Sequence, residues 1–131
     1  VKYPNIINAN EDIEISYKIV FLEDVNLPVY GLLIKSVDGI YLFGTNSIIE
    51  SKKEEYFVRK KGDVVIATFK LKMNFSTGNY FLSFGVSEDL GVTLLHRRYD
   101  SVLIYVQNRR QITGFIDLQP KFVEKVLTRN L

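Results

Sequence analysis

Gly31-Leu32-Leu33-Ile34-Lys35, then Asp38-Gly39, then Tyr41-Leu42-Phe43-Gly44-Thr45-Asn46 is the stretch whose reading decides the fold. It reads as a strand, a turn dipeptide, a returning strand over residues 40–43, and a small polar exit over residues 44–46. Asp38-Gly39 predicts a two-residue hairpin, because glycine supplies the positive φ that a primed turn requires. A second stretch agrees with the first. After Gly78, the residues Tyr80, Leu82, Phe84 and Val86 alternate with Asn79, Phe81, Ser83 and Gly85. Period-two alternation after a glycine turn marks a half-buried antiparallel strand.

The same reading extends along the chain. Over residues 12–21, Ile13, Ile15, Tyr17, Ile19 and Phe21 share one face while Glu14, Ser16 and Lys18 share the other. Residues 26–28 break the chain, and residues 29–37 resume an extended run. Further strands are expected over residues 64–71, 79–86, 92–95 and 100–107, and a last one over residues 113–118. Residues 48–61 are charged and aperiodic, and fit a long loop, a broken strand or a short helix. Phe122, Val123, Val126 and Leu127 recur at helical spacing and suggest a short C-terminal helix. Seven or eight short strands without alternating helices point to an all-β, immunoglobulin-like antiparallel β-sandwich of two sheets, jelly-roll-like in its general architecture. Tyr17, Ile34, Phe69, Tyr80, Leu82, Phe84 and Ile104 are expected in one core.

Composition bounds the function. The 131 residues suffice for a single domain with a real core, residues 1–131. The first residue is Val1, which suggests a piece excised from a longer polypeptide. No cysteine is present, so thiolate metal sites are excluded. With 17 basic and 15 acidic residues, the charge of +2 does not suit a nucleic-acid partner. Arg59-Lys60-Lys61 is offset by Glu54 and Glu55 and reads as a solvated loop. No cofactor is indicated.

Nothing in the sequence resembles a catalytic centre. His96 is the single histidine, beside Arg97 and Arg98 and near Asp100, and no nucleophile-elbow pattern accompanies it. Acidic neighbours such as Glu11-Asp12, Glu23-Asp24 and Glu54-Glu55 point to opposite sides of an extended chain, so they are poor paired acids. Glu88 and Asp89 are the candidates for calcium, against the plainer reading of a polar turn. Thr45 and Asn46 match sugar hydroxyls chemically, but an Asn at a strand end more commonly caps a turn.

The glycines and alternating strands carry a family resemblance across residues 12–118. Gly31-Leu32 with Ile34, the Asp38-Gly39 turn, Phe43-Gly44-Thr45-Asn46, Phe69 with Leu71, Gly78 with Tyr80, Tyr99-Asp100 with Ile104 and Val106, and Gly114 with Ile116 and Leu118 together resemble the C-terminal carbohydrate-binding domain of Wzt-type O-antigen ABC transporters. Many members of that family carry a tryptophan near the Tyr99-Asp100 position or at the end, and this chain has none. The resemblance implies a non-catalytic domain that binds the capped end of a bacterial cell-surface polysaccharide and selects it for export. It also implies a homodimer, with residues 113–118 exchanged between chains, and contact with a membrane-spanning transporter subunit through the full-length protein. The implied location is cytoplasmic, peripheral to the bacterial inner membrane. No P-loop pattern is present, so ATP hydrolysis would belong to another part of such a protein.

Strand alternation nominates a surface. If Leu32, Ile34, Tyr80, Leu82, Phe84, Ile104 and Val106 point inward, then Leu33, Lys35, Phe81, Ser83, Gly85, Leu103, Tyr105 and Gln107 point outward. Four of these are large and apolar, which marks an interface. The candidate carbohydrate-binding residues are therefore Tyr105 and Phe81 as platform, with Lys35, Ser83 and Gln107 as polar contacts. Gly85 is expected to leave a gap beside Tyr105 or Leu103. Arg97 and Arg98 join them if the glycan end is anionic. Two alternatives compete: a dimerisation or docking module without glycan contact, and an accessory sandwich domain of a glycan-modifying enzyme.

Overall fold

The computed structural model describes residues 5–51 and 58–128. Among the described residues nine strands form the architecture: β1 (Asn5–Asn8), β2 (Asp12–Val20), β3 (Val25–Asn26), β4 (Val29–Ser36), β5 (Tyr41–Asn46), β6 (Val58–Arg59), β7 (Val64–Lys72), β8 (Gly78–Glu88) and β9 (Thr93–Gln107). A five-stranded sheet runs in the order β1-β9-β8-β4-β5. The β2–β7 pair faces it, and β3–β6 makes a small third ladder. Every pairing is antiparallel except β1 on β9. This is the all-β sandwich that the alternation predicts. Among the described residues, no helix is long and apolar enough to cross a membrane.

The alternating side chains meet between the sheets. Ile15, Leu32, Ile34, Met73, Phe75, Tyr80, Leu82, Ile104 and Val106 form the main core. Phe69 and Phe84 pack against it partly buried. Tyr17 instead joins a second cluster around Phe21, Val25, Tyr30 and Val86, so the single expected core is two. The Tyr17 and Phe84 rings, 4.7 Å apart, connect them. The Tyr80 hydroxyl donates back to the Ser76 carbonyl at 2.6 Å, the device of the tyrosine corner in immunoglobulin-like sandwiches. On the solvent face of the β2–β7 pair, Glu14 opposes Lys70 and Asp12 opposes Lys72. Their ion pairs span 3.7 and 3.9 Å and favour this register by less than about 1 kcal/mol each.

Several local expectations are corrected. The turn after β4 has three residues rather than two: Ser36 N–H donates to Ile40 O, with Gly39 at φ 88°. A type I turn closed by a left-handed glycine gives this hairpin. Residues 44–46 continue β5 instead of ending it, because they pair with Leu33, Leu32 and Gly31. Residues 93–95 and 100–107 belong to one long strand, β9, whose pairing with β8 is interrupted at two places, opposite Ser83 and between Val86 and Ser87, while Val92 ends the short 3-10 turn before it. The short helix α1 (Ser47–Ser51) opens the charged stretch, whose Glu54 and Glu55 lie outside the described residues. β1 has no apolar alternation and was not foreseen.

The C-terminal segment departs most. Residues 113–118 form no strand; a single bridge joins Ile116 to Phe75. Residues 122–127 form no helix, and Phe122 and Val123 are 85% and 87% exposed. Polar groups, not a ladder, hold residues 108–119. Asn108 Nδ2 donates to Phe75 O and to Asp117 Oδ2, both at 3.0 Å. Asp117 Oδ1 accepts from Gln119 N–H at 2.9 Å and lies 3.3 Å from Arg110 Nη1. Its own N–H donates to Asn74 O at 2.7 Å. A carboxylate 1% exposed is tolerable only with such partners.

Two predictions follow from this packing. Leu82→Ala removes a core side chain and should destabilise the domain by about 2–5 kcal/mol, read by urea unfolding. The second concerns acid. The Asn108 amide, then Gln119 N–H and the Arg110 guanidinium, hold the Asp117 carboxyl below its ordinary value of 3.8, against the opposing effect of burial. A carboxyl lowered in the folded state contributes stability above its unfolded value and loses it as pH falls through the folded one. The latch should therefore hold at neutral pH and weaken below about pH 3.8. Thermal unfolding followed against pH should show a shallower acid limb for Asp117→Asn than for the native chain.

Candidate functional site

The outer face of the five-stranded sheet is arranged in rungs. One rung runs Tyr41, Lys35, Phe81, Leu103 across β5, β4, β8 and β9. The next carries Gly44, Leu33 and Ser83. The third carries Asn46, Gly31, Gly85 and Arg97. Tyr105 stands at the opposite end, between Asn79 and Ile6.

Glycine inside a strand removes the side chain that would cover the sheet. Gly31 and Gly85 are cross-strand partners, so their bare backbones form one floor. A Cβ on Gly31 would have only Gly85 O and Thr45 O as near neighbours, both at 3.9 Å. Above this floor lies a cleft of about 350 Å³. Thr45, Asn46 and Ile49 wall one side; Leu90, Gly91, Leu94 and Arg97, from the β8–β9 hairpin, wall the other.

Local chemistry fixes the first wall. Asn46 Oδ1 accepts from the N–H groups of Ile48 and Ile49, both at 3.0 Å. It is thus the N-cap of α1, the capping role expected from its place at a strand end. Thr45 Oγ1 donates to Glu50 Oε1 at 2.6 Å. Asn46 is thus partly committed to structure while lining the cleft, whereas Thr45, paired with inward-facing Leu32, brings its carbonyl to the floor.

A bulge fixes the second wall. Leu82 pairs with Val102 and Phe84 with Arg98, so residues 99–101 stand opposite Ser83 alone. Asp100 adopts φ 50°, a left-handed conformation that aspartate tolerates better than most residues. Its N–H donates to Ser83 Oγ at 2.9 Å, and its carboxylate meets Lys35 Nζ at 2.9 Å. That carboxylate raises the Lys35 pKa above the usual lysine value. Arg97 Nη1 donates to Tyr99 Oη at 3.0 Å, and its guanidinium carbon lies 5.4 Å from the Tyr99 ring centroid.

The residues nominated from sequence distribute along this face. Arg97 and Ser83 line the cleft, but Ser83 is only 2% exposed and its hydroxyl accepts from Asp100. Lys35 and Phe81 lie one rung beyond the cleft, with Lys35 engaged by Asp100. Tyr105 and exposed Gln107 lie farther along β9. The gap at Gly85 is real, though its neighbours are Gly31 and Arg97 rather than Tyr105 or Leu103. Arg98 opposes Phe84 and so shares the other face of β9. Sequence reasoning nominated Arg97 of one wall and weighed Thr45 and Asn46 of the other, but missed Ile49, Leu90, Gly91 and Leu94. The three strand glycines, Gly31, Gly44 and Gly85, were the available signal, since interior strand glycines mark close approach. His96 is exposed opposite Val86, and no group of three or more acidic or histidine side chains that could hold a metal ion gathers among the described residues.

Comparison with known proteins agrees with the fold. The Wzt C-terminal domain family matches residues 2–118. A crystal structure of the C-terminal domain of Wzt is 36% identical in sequence. It superposes with a TM-score of 0.84 over 91% of this chain and 73% of its own. No curated protein matches the chain. With the family match, the identity and the shared sandwich together, the chain belongs to the Wzt C-terminal domain family.

Proposed function

We propose that this domain binds the end of a bacterial cell-surface polysaccharide without catalysis, selecting it for export by an ABC transporter. The observation that carries the reading is the glycine-floored cleft on the outer face. A pyranose ring is flat with a polar edge, and Gly31, Leu33 and Gly85 offer a flat floor between the polar rims of the Thr45 carbonyl, Asn46, Ser87 and Arg97. Phe81, Leu103 and Tyr105 continue an apolar platform along the same face for further sugar units. In this reading Lys35 and Gln107 supply polar edges and Ser83 acts through Asp100. Membership of the Wzt family supplies the context: an O-antigen, a cytoplasmic site beside the inner membrane, and a transporter subunit reached through the full-length protein.

Titration with the cognate O-polysaccharide tests this. Few polar contacts on an open cleft suggest a Kd of about 10 µM to 1 mM. Gly31→Val fills the floor and should weaken binding by more than about tenfold, a loss of roughly 1.4 kcal/mol. Tyr105→Ala should weaken it while the thermal transition stays unchanged. Normal binding by Gly31→Val would place the glycan elsewhere.

A second reading, assembly, has its own observation. Leu118, Phe122, Val123, Val126 and Leu127 are exposed apolar residues on a segment that, among the described residues, joins no strand or helix beyond the Asp117 latch. We propose that this segment packs on a second copy to form a homodimer. Residues 113–118 stay in place or exchange with it, depending on whether the latch opens. Light scattering should report a dimer, and removal of residues 120–131 should convert it to a monomer. A dimer that survives this truncation would refute the assignment.

A further inference from the structure

We propose that the open seam between the two sheets, bounded by β5 and the end of β7, binds the hydrocarbon chain of a single-chain anionic amphiphile. The seam lies on the inner side of β4 and β5, across the sheet from the glycine-floored cleft. The inference does not depend on glycan binding.

Three observations carry it. The first is a gap in the sandwich. Phe43 pairs with Ile34, whose side chain is fully buried between the sheets. Directly opposed strand residues share a face, so Phe43 also points inward. It is nevertheless 44% exposed. An inward phenylalanine left open marks an interior that the described residues do not fill. Beside it lies a cavity of about 390 Å³, floored by Ile34, Met73 and Phe75 and flanked by Leu42 and Leu71. Its size falls within the range of small-molecule sites. Stacked sheets lie about 10 Å apart, and side chains from both already enter that space. What is left is a slot that suits one chain.

The second observation is the state of the polar groups around the slot. Asn74 and Asp117 line it, but their oxygens serve the fold. Asn74 Oδ1 accepts from Asn10 N–H at 3.0 Å, and Asn74 O accepts from Asp117 N–H at 2.7 Å. The Asp117 carboxylate accepts from Asn108 and Gln119. The hydroxyl hydrogens of a sugar would meet oxygens already engaged, and burying them unpaired is unfavourable. A hydrocarbon chain makes no such demand, and each methylene that leaves water for an apolar lining adds affinity. Met73, unbranched and flexible, suits a chain of variable length.

The third observation is Lys72 at the rim. Its side chain is half exposed, and Nζ lies 3.9 Å from Asp12 Oδ1. So long and solvated an ion pair adds little, which leaves the ammonium open to another anion. Phe43 and Ile116 form apolar, exposed lips to the same slot. A chain that enters between them leaves its head group in water near Lys72.

The test uses Met73, the single methionine of the chain. A carbon-13 methyl label on methionine gives one NMR signal, from inside the slot. Hexanoate, octanoate and decanoate, each below its micellar concentration, should shift that signal. The dissociation constant should fall about fourfold per added methylene until the chain outruns the slot. Octyl glucoside, of matching chain length but neutral head, should bind more weakly than octanoate. Lys72→Gln should bring octanoate to the level of octyl glucoside. Ile116→Asp, on the exposed lip, should weaken both by more than about tenfold. Circular dichroism checks that each variant stays folded. A Met73 methyl that ignores every chain, or an affinity that does not rise with chain length, would overturn the site. So would a signal that follows protein concentration instead and stops doing so once residues 120–131 are removed, because the slot would then hold a second copy's tail. Equal binding of octanoate and octyl glucoside would overturn the role of Lys72.

Discussion

The Tyr17 hydroxyl reaches from β2 to the backbone of the opposite sheet, donating toward Gly31 O at 2.9 Å and Gly85 O at 3.1 Å. These are the two residues whose bare backbones floor the cleft. One side chain thus ties the sheets together and supports the floor from beneath. Burial raises the phenol well above its ordinary pKa of 10.0, so it remains a donor. Its ring packs on Phe84, joining the two core clusters. Losing such a donor and leaving acceptors without a partner typically costs about 1–3 kcal/mol. The consequence here would fall on the shape of the outer face as well as on stability.

From that anchored floor, the outer face is shaped by a local irregularity. The bulge at residues 99–101 buries Ser83, turns Asp100 toward Lys35 and brings Tyr99 beside Arg97. A regular ladder would have left Ser83 and Lys35 as ordinary polar positions on a flat sheet. Bulges recur where a sheet must re-aim side chains. Here one bulge converts scattered polar residues into a fixed wall.

At the other end of the sandwich, polar groups do what a strand ladder does elsewhere. Asn108 and Asp117 hold the segment that follows β9 against Asn74 and Phe75, with Arg110 beside them. Beyond Gln119 the chain presents apolar side chains to solvent. An apolar segment following a polar latch is a natural place for contact with another surface.

The sequence by itself determined which face each strand residue takes. Period-two alternation is local, so Ile13, Ile15 and Tyr17, and Tyr80, Leu82 and Phe84, could be assigned inward before any partner was known. The cap formed by Asn46 was legible for the same reason, since its partners lie two and three residues away. The helical spacing of residues 122–127 misled, because periodicity without packing does not make so short a helix stable. Tertiary structure decided what depends on register. The pairing of Gly31 with Gly85, the choice of Arg97 over Arg98 for the cleft, and the burial of Ser83 follow from which rungs align and where the bulge falls. Those alignments are set by contacts between segments distant in the chain, and a shift of one residue would exchange every outward side chain for an inward one.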